Sequence, residues 1–164
     1  MNFLIAMIIP FLWIQGIQGA AQAASLKIGD SAPAITLADL NGHAVSIPED
    51  LTGKAVVIHF WVDSCIFCLE EMPALERLYK EFQGKGLIIV AINVGQTPER
   101  VRAFVSKVKV SYPVLLDPDR KMAKTYGVLG FPRTFMLNRK GVIKYKILGD
   151  ATEEMLKKLV LNIL

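Results

Sequence analysis

The chain has 164 residues, 52% of them hydrophobic, and a formal net charge of +4 at pH 7. This length allows one domain with a proper hydrophobic core and is short for two. The positive charge is mild and spread along the chain, so the composition argues against a nucleic-acid-binding protein. One globular domain without a nucleic-acid partner is therefore expected.

The N-terminal segment is uncharged as far as Lys27. Phe3 to Ile14 is an apolar run of the length of a signal-peptide core, and Ala21-Gln22-Ala23 offers small residues at a cleavage site. These features predict a signal peptide at residues 1–23. The positively charged start of a signal peptide is missing, so an uncleaved N-terminal anchor is the alternative, and membrane contact is expected only in that case. Either way, the predicted domain at 24–164 is expected to lie outside the cytoplasm.

The folded part alternates between strand-like and helix-like segments. Asn41-Gly42 lies between two alternating segments and predicts a β-hairpin. Val56 to Trp61 is rich in β-branched and aromatic residues, as in a strand buried on both faces, and the apolar residues beyond Cys68 recur at helical spacing. In chain order we predict a hairpin of strands 35–37 and 45–47, strand 56–61, a helix kinked at Pro73 and ended by Gly84 and Gly86, strand 87–94, helix 98–108, strand 114–116, helix 119–126, a hairpin of strands 133–137 and 142–148, and helix 152–164. This order implies an α/β fold with a mixed central sheet flanked by helices.

Cys65 and Cys68 are the two cysteines of the chain, at CxxC spacing, where a strand passes into a helix. A helix N-terminus has unpaired N–H groups and partial positive charge, which favour a thiolate. A disulfide between residues so close closes almost no loop and adds little stability, so the pair is better explained by chemistry than by stapling. Thiol–disulfide exchange is the leading hypothesis, with a redox-active disulfide and no separate cofactor.

The sequence resembles the thioredoxin fold, and more closely the TlpA/ResA-like branch of extracytoplasmic thiol–disulfide oxidoreductases, over nearly all of residues 26–164. The resemblance is carried by the segments 87–95, 112–120 and 126–141 and by a motif of Phe60, Trp61, Cys65, Cys68, Glu71 and Pro73. It implies a thioredoxin-like three-layer fold with an added N-terminal β-hairpin.

Roles follow for several residues. Cys65 at the helix start is the candidate nucleophile and Cys68 the resolving cysteine. Glu71 falls on the same helix face as Cys68 and is expected to tune the cysteines and shuttle protons; the alternative is an ordinary solvated glutamate. Pro132 matches the family's cis-proline, which would leave the backbone of Phe131 free to pair with a substrate strand; the alternative is a trans proline. Trp61 is expected to be core and active-site wall, in contact with substrate.

The sequence departs from the family pattern at four positions, which are therefore expected to tune the redox properties. Ser64 replaces the tryptophan that usually precedes the first cysteine, and the dipeptide Ile66-Phe67 has neither proline nor charge. His59 stands where thioredoxins carry a buried aspartate. It is either part of the proton transfer or simply a satisfied core histidine.

The resemblance implies a disulfide reductase of the periplasm or the outer face of the cytoplasmic membrane. Its clients would include the haem-binding cysteines of apocytochrome c, with electrons from a membrane thiol–disulfide transporter. Two alternatives stay open. A peroxiredoxin-type peroxidase would have threonine where Val62 stands. A non-catalytic metal-binding chaperone would use Cys65, Cys68 and a histidine. A zinc site would need more ligands, for which His43 and His59 are the available histidines, and no metal site is expected.

Overall fold

The computed structural model describes residues 26–164. The signal peptide or anchor expected at residues 1–23 lies outside the described residues and stays a prediction. Among the helices of residues 26–164, none combines the length and the apolar character that a membrane crossing requires.

Seven strands and four α-helices follow the predicted order. They are β1 Ile35–Asp39, β2 Ala44–Ile47, β3 Ala55–Trp61, α1 Ile66–Phe82, β4 Leu87–Val94, α2 Pro98–Val108, β5 Val114–Asp117, α3 Lys121–Thr125, β6 Arg133–Leu137, β7 Ile143–Leu148 and α4 Glu153–Ile163. Two 3-10 turns, Glu49–Leu51 and Gln83–Lys85, were not anticipated. The predicted helix at 119–126 is shorter in the structure, and the helix predicted beyond Cys68 begins earlier, at Ile66.

The strands form a single mixed sheet in the order β2-β1-β5-β4-β3-β6-β7. β3, β4 and β5 run parallel to one another, whereas β6 pairs antiparallel with β3 and the β1–β2 hairpin is added antiparallel to β5. The predicted mixed sheet with an N-terminal hairpin is confirmed.

β3 lies at the centre of this sheet, and all seven of its residues are buried. Side chains alternate between the two faces of a strand. Val57 and Trp61 therefore join the core that packs beneath α1, α2 and α4, while Ile58 and Phe60 join the core beneath α3. This alternation also directs His59 towards the α1 face.

α1 starts directly beyond the carboxyl end of β3, at the edge of the sheet where sites of α/β proteins lie. Its buried face includes Met72, Leu75, Leu78 and Phe82, which anchor it on the sheet. Pro73 lies inside the helix, and the helix continues beyond it to Phe82. The start of α1, which carries the CxxC motif, is thereby fixed over the end of β3.

Candidate active site

The CxxC motif forms the N-terminus of α1, with Cys65 as the N-cap residue in an extended conformation. Cys65 and Cys68 are joined by a disulfide bond. Cys68 is fully buried, whereas Cys65 is only partly buried. An external thiol or disulfide therefore has access to the Cys65 sulfur first, as an attacking cysteine requires.

The Cys65 sulfur also receives direct help from the helix. The backbone N–H of Cys68 donates a hydrogen bond to Cys65 Sγ at 3.1 Å. In the reduced protein the same N–H, together with the helix dipole, would stabilise a thiolate at this sulfur. The local geometry thus suits thiol–disulfide exchange through Cys65.

Phe131 and Pro132 lie in the loop that leads into β6, and the peptide bond between them is cis. Pro132 is buried, and its carbonyl oxygen accepts a hydrogen bond from the N–H of Gly149 at 3.0 Å. Phe131 is partly exposed and packs against the same apolar cluster as Cys65. The cis bond implied by the resemblance is therefore present, and Phe131 shares an apolar cluster with the CxxC motif.

Glu71 is buried, one helical turn beyond Cys68, with only 3% of its surface exposed. Neither carboxylate oxygen has a hydrogen-bond partner of good geometry. Burial raises the pKa of Glu71 to about 7, and the charge of Asp150 adds to the rise, against a partial opposing effect of the Ala151 N–H and the Thr134 hydroxyl. The alternative of an ordinary solvated glutamate is wrong for this position.

Glu71 borders a cavity, although its carboxylate oxygens are themselves buried. The cavity, of about 290 Å³, lies between α1 and the segment that leads into α4 and is also lined by Phe67 and Asp150. A buried acid with a pKa near neutrality can take up and release protons at physiological pH.

His59 lies on the same side of the sheet as Glu71 and is fully buried. Its Nδ1 is 3.0 Å from the hydroxyl of Thr134 and 3.7 Å from Oε1 of Glu71, while its Nε2 has no hydrogen-bond partner. Burial lowers the pKa of His59 to about 3, so the ring is neutral at physiological pH. Sequence reasoning missed Thr134, whose place opposite His59 follows from the pairing of β3 with β6.

Trp61 belongs to the hydrophobic core beneath the CxxC motif. It has no exposed surface and packs on Phe104, with ring centroids 4.6 Å apart. The expectation that it contacts substrate is corrected on this point, because a fully buried side chain offers no surface to a partner. Its position at the end of β3 makes it part of the core beneath the motif.

Sequence reasoning also missed a polar cluster on the other side of the motif. The N–H of Asp63 donates to Oε1 of Gln96 at 2.8 Å, and the side-chain amide of Gln96 donates back to Oδ1 of Asp63. Arg100 binds the same carboxylate through Nε and Nη2 at 2.8 and 2.9 Å. The cluster ties the residues just before Cys65 to the loop between β4 and α2.

Most of the chain is similar in sequence to known proteins. The model of the AhpC/TSA family matches residues 28–146. The thiol-disulfide oxidoreductase ResA of Bacillus subtilis is 37% identical over 132 residues, which cover 80% of this chain and 73% of that protein. The chain belongs to the AhpC/TSA family and is ResA-like.

Solved structures agree with this assignment. The thioredoxin domain of a thiol-disulfide oxidoreductase from Bacteroides vulgatus superimposes with a TM-score of 0.76 at 30% identity, covering 84% of this chain and 98% of that one. StoA from Bacillus subtilis superimposes with a TM-score of 0.67 at 28% identity, covering 77% and 96%. The predicted thioredoxin-like fold is confirmed, and the ResA-like protein is a thiol-disulfide oxidoreductase.

The dipeptide between the cysteines gives this ResA-like protein an apolar rim. Ile66 and Phe67 are 65% and 48% exposed, and Leu129, three residues before Pro132, is fully exposed. Ser64 is also exposed and lines a cavity of about 350 Å³ with Arg100. Ser64, Ile66 and Phe67 flank the cysteines in the chain and are therefore free to contact a partner that approaches Cys65.

A metal centre is not assembled around the cysteines. Within residues 26–164, no group of three or more His, Cys, Asp or Glu side chains is placed to hold a metal ion. His43 lies in the exposed β1–β2 loop beside Asp39, and His59 is engaged with Thr134. The ligands that the metal-binding alternative requires are not brought together in this part of the chain.

Proposed function

We propose that this ResA-like oxidoreductase works as a disulfide reductase on proteins outside the cytoplasm. The observation that carries the proposal is that the two cysteines differ in their exposure to solvent. Cys65 is reachable at the start of α1, whereas Cys68 is buried beside Glu71. An accessible attacking sulfur and a buried resolving sulfur with its own proton acceptor suit reduction of a client disulfide.

The reaction begins with the dithiol form. The Cys65 thiolate attacks one sulfur of the client disulfide, forms a mixed disulfide and releases the other client sulfur as a thiolate. Cys68 then gives its proton to the carboxylate of Glu71, and its thiolate attacks Cys65 Sγ. The client's second thiolate leaves as the Cys65–Cys68 disulfide forms, so two electrons have passed to the client.

Glu71 suits the resolving step because burial raises its pKa to about 7. Near neutral pH such a carboxyl is present in both protonation states, so it can accept a proton from Cys68 and later return it through the adjoining cavity. His59 is neutral and faces the Glu71 carboxyl, where it shapes the polarity around that proton without adding charge.

The small number of groups placed to stabilise a thiolate at Cys65 supports the reductive direction. Strong oxidants of this fold owe their potential to a stabilised thiolate. Among the hydrogen bonds of residues 26–164, Cys65 Sγ receives one N–H, that of Cys68. Glu71 places a potential negative charge beside the pair, which disfavours thiolates further. Reduction of clients is therefore favoured over oxidation.

A redox equilibration tests the direction. The oxidised protein is incubated in glutathione or dithiothreitol buffers, and the fraction of free Cys65 and Cys68 is measured by alkylation. A potential near about −270 mV, as in thioredoxin, supports a reductase, whereas one near about −120 mV, as in DsbA, reverses the direction. A peroxide-consumption assay on the same sample tests the peroxidase alternative.

The proposal also covers where the protein works and which class of proteins it reduces. From the resemblance to the TlpA/ResA-like branch, we place the protein in the periplasm or on the outer face of the cytoplasmic membrane. Its clients there are disulfides such as those of apocytochrome c, and a membrane thiol–disulfide transporter returns it to the dithiol form. Labelling of Cys65 in intact cells by a membrane-impermeant maleimide tests the location.

Trapping of a mixed disulfide tests which class of client the protein reduces. Cys68→Ala removes the resolving sulfur and is expected to accumulate a mixed disulfide through Cys65. A peptide with an oxidised C-x-x-C-H haem-binding segment is compared with the same peptide carrying alanine for histidine, and Cys65→Ser is the control that should trap neither. Equal trapping of both peptides would contradict the apocytochrome client and leave the oxidoreductase chemistry intact.

A further inference from the structure

The residues immediately before Cys65 are held from outside by the side chains of Gln96 and Arg100. Asp63 takes part through both its N–H and its carboxylate. Asn93, at the end of β4, donates to Oε1 of Gln96 at 2.7 Å and so joins the cluster to the sheet. The mechanism proposed above uses none of these four side chains.

The contact between Asp63 and Arg100 is a bidentate ion pair, with Nη2 of Arg100 also 2.7 Å from Oδ2 of Asp63. The Asp63 side chain is 19% exposed and that of Arg100 is 61% exposed. Burial alone would raise the pKa of Asp63, but hydrogen bonds from Gln96 and Arg100 and the charge of Arg100 outweigh it and lower the pKa. Asp63 is therefore a carboxylate at neutral pH.

Asp63, which carries this carboxylate, lies two residues before Cys65 in the chain. Consecutive Cα atoms are about 3.8 Å apart, so the Cα atoms of the two residues are separated by at most about 7.6 Å. Charges at physiological ionic strength are screened over about 8 Å, a length comparable to this backbone separation. A negative charge so placed opposes a thiolate on Cys65 unless a positive charge compensates it.

We propose that Asp63, Gln96 and Arg100 form a charge-compensated clamp that positions the segment before Cys65, with Arg100 cancelling the carboxylate charge that would otherwise suppress attack by the Cys65 thiolate. The clamp rests on the proposed function, because it takes Cys65 as the attacking sulfur. Its members are positioning residues: they act through the Cys65 segment and touch no reacting atom. They fix the position of the segment before Cys65 and also neutralise the charge of the Asp63 carboxylate.

Other ionisable side chains surround the motif, and the test leaves all of them in place. They include His59 of β3, Glu70, Glu71 and Arg77 of α1, Arg120 before α3, Arg133 of β6, Asp150 before α4 and Glu153 of α4. A change in the pH profile that follows only substitutions of Asp63 and Arg100 therefore reports on the clamp.

The experiment uses the reduced Cys68→Ala protein, in which Cys65 is the remaining thiol of the chain. Its alkylation rate by iodoacetamide is measured from pH 5 to 10, alone and with Asp63→Asn, Arg100→Gln or both. Arg100→Gln is expected to slow alkylation at pH 7 by about 3- to 10-fold and to move the profile to higher pH, with an unchanged plateau at high pH. Adding Asp63→Asn is expected to restore the rate to within about twofold.

Arg102→Gln is the matched control, because it removes the same charge from an exposed position of the same helix. Arg102 contacts the carbonyl oxygen of Leu40 and not the Cys65 segment. A purely structural role for the cluster would lower the plateau in Arg100→Gln and would show no recovery in the double variant.

Either of those results, or an Arg102→Gln profile shifted as far as that of Arg100→Gln, would overturn the clamp. Unreactive Cys65 in the Cys68→Ala protein would instead refute the proposed function, and the clamp with it. Reactive Cys65 with no response to Arg100→Gln would refute the clamp alone.

Discussion

Replacing Glu71 by glutamine tests the buried carboxyl through the stability of the oxidised protein. The substitution keeps the shape of the side chain and removes its ability to ionise. Burial raises the pKa of Glu71 from the usual 4.5 to about 7 in the folded protein. The folded state therefore binds one more proton than the unfolded state between these two pH values, and its stability falls as pH rises through this window.

The size of the effect follows from the two pKa values. One pH unit corresponds to about 1.4 kcal/mol, so the unfolding free energy of the wild type should fall by about 3 kcal/mol relative to Glu71→Gln between pH 4.5 and 7. Below pH 4.5 and above pH 7, the difference in unfolding free energy between the wild type and Glu71→Gln should not change with pH. The wild type alone would hide the effect, because His59, with its pKa lowered to about 3, gives the opposite slope below pH 6.5.

Urea unfolding of both oxidised proteins at half-unit steps from pH 4 to 8.5 gives the difference directly. Glu70→Gln is the matched control, since Glu70 is exposed and its charge is solvated in both states. It should show no comparable slope against the wild type. A difference between wild type and Glu71→Gln that does not change with pH would refute the buried-carboxyl argument.

Three further predictions concern His59, the core and the rim of the site. In urea unfolding, the wild type should lose about 1.4 kcal/mol per pH unit relative to His59→Asn as pH falls from 6.5 towards 3, because the buried ring stays neutral; parallel curves would contradict this. Phe135→Ala should cost about 3–5 kcal/mol of unfolding free energy, since this ring is fully buried against Tyr126; a loss below about 1 kcal/mol would contradict the packing. Leu129→Ser should leave the melting temperature unchanged but reduce mixed-disulfide trapping. Leu161→Ser, which replaces another exposed leucine, this one on α4, should change neither the melting temperature nor the trapping.

The sequence predicted the elements whose signals are local. Thr97-Pro98 gave the start of α2 to the residue, and the β-branched run 87–94 gave β4 with its correct bounds. The CxxC motif at the junction of β3 and α1 followed from the same kind of signal, because a buried strand and an amphipathic helix have distinct periods. These features depend on neighbours along the chain and so can be read from it.

The surroundings of the cysteines depend instead on contacts between distant segments. Thr134 meets His59 through the pairing of β3 with β6, 75 residues away along the chain. Arg100 reaches Asp63 because α2 starts beside the end of β3, 37 residues on. Helical periodicity could place Glu71 on the face of Cys68, but its burial also requires the segment before α4 to pack over α1, which no local pattern shows.

The two sides of the motif should therefore control different steps of the exchange. Arg100 acts on Cys65, so Arg100→Gln in the otherwise native protein should slow formation of the mixed disulfide. Glu71 serves Cys68, so Glu71→Gln should slow resolution by about tenfold or more, as expected when a proton acceptor is lost, and should not slow formation of the mixed disulfide.

Acid quenching of single turnovers, followed by mass spectrometry, separates the two steps. The mixed disulfide should accumulate with Glu71→Gln and stay below detection with Arg100→Gln, although both variants turn over more slowly. If both variants slowed the same step, the two cysteines would share one electrostatic environment. Cys68 is buried beside the His59–Glu71 pair, whereas Cys65 is partly exposed beside the compensated Asp63–Arg100 pair, and this difference argues against that outcome.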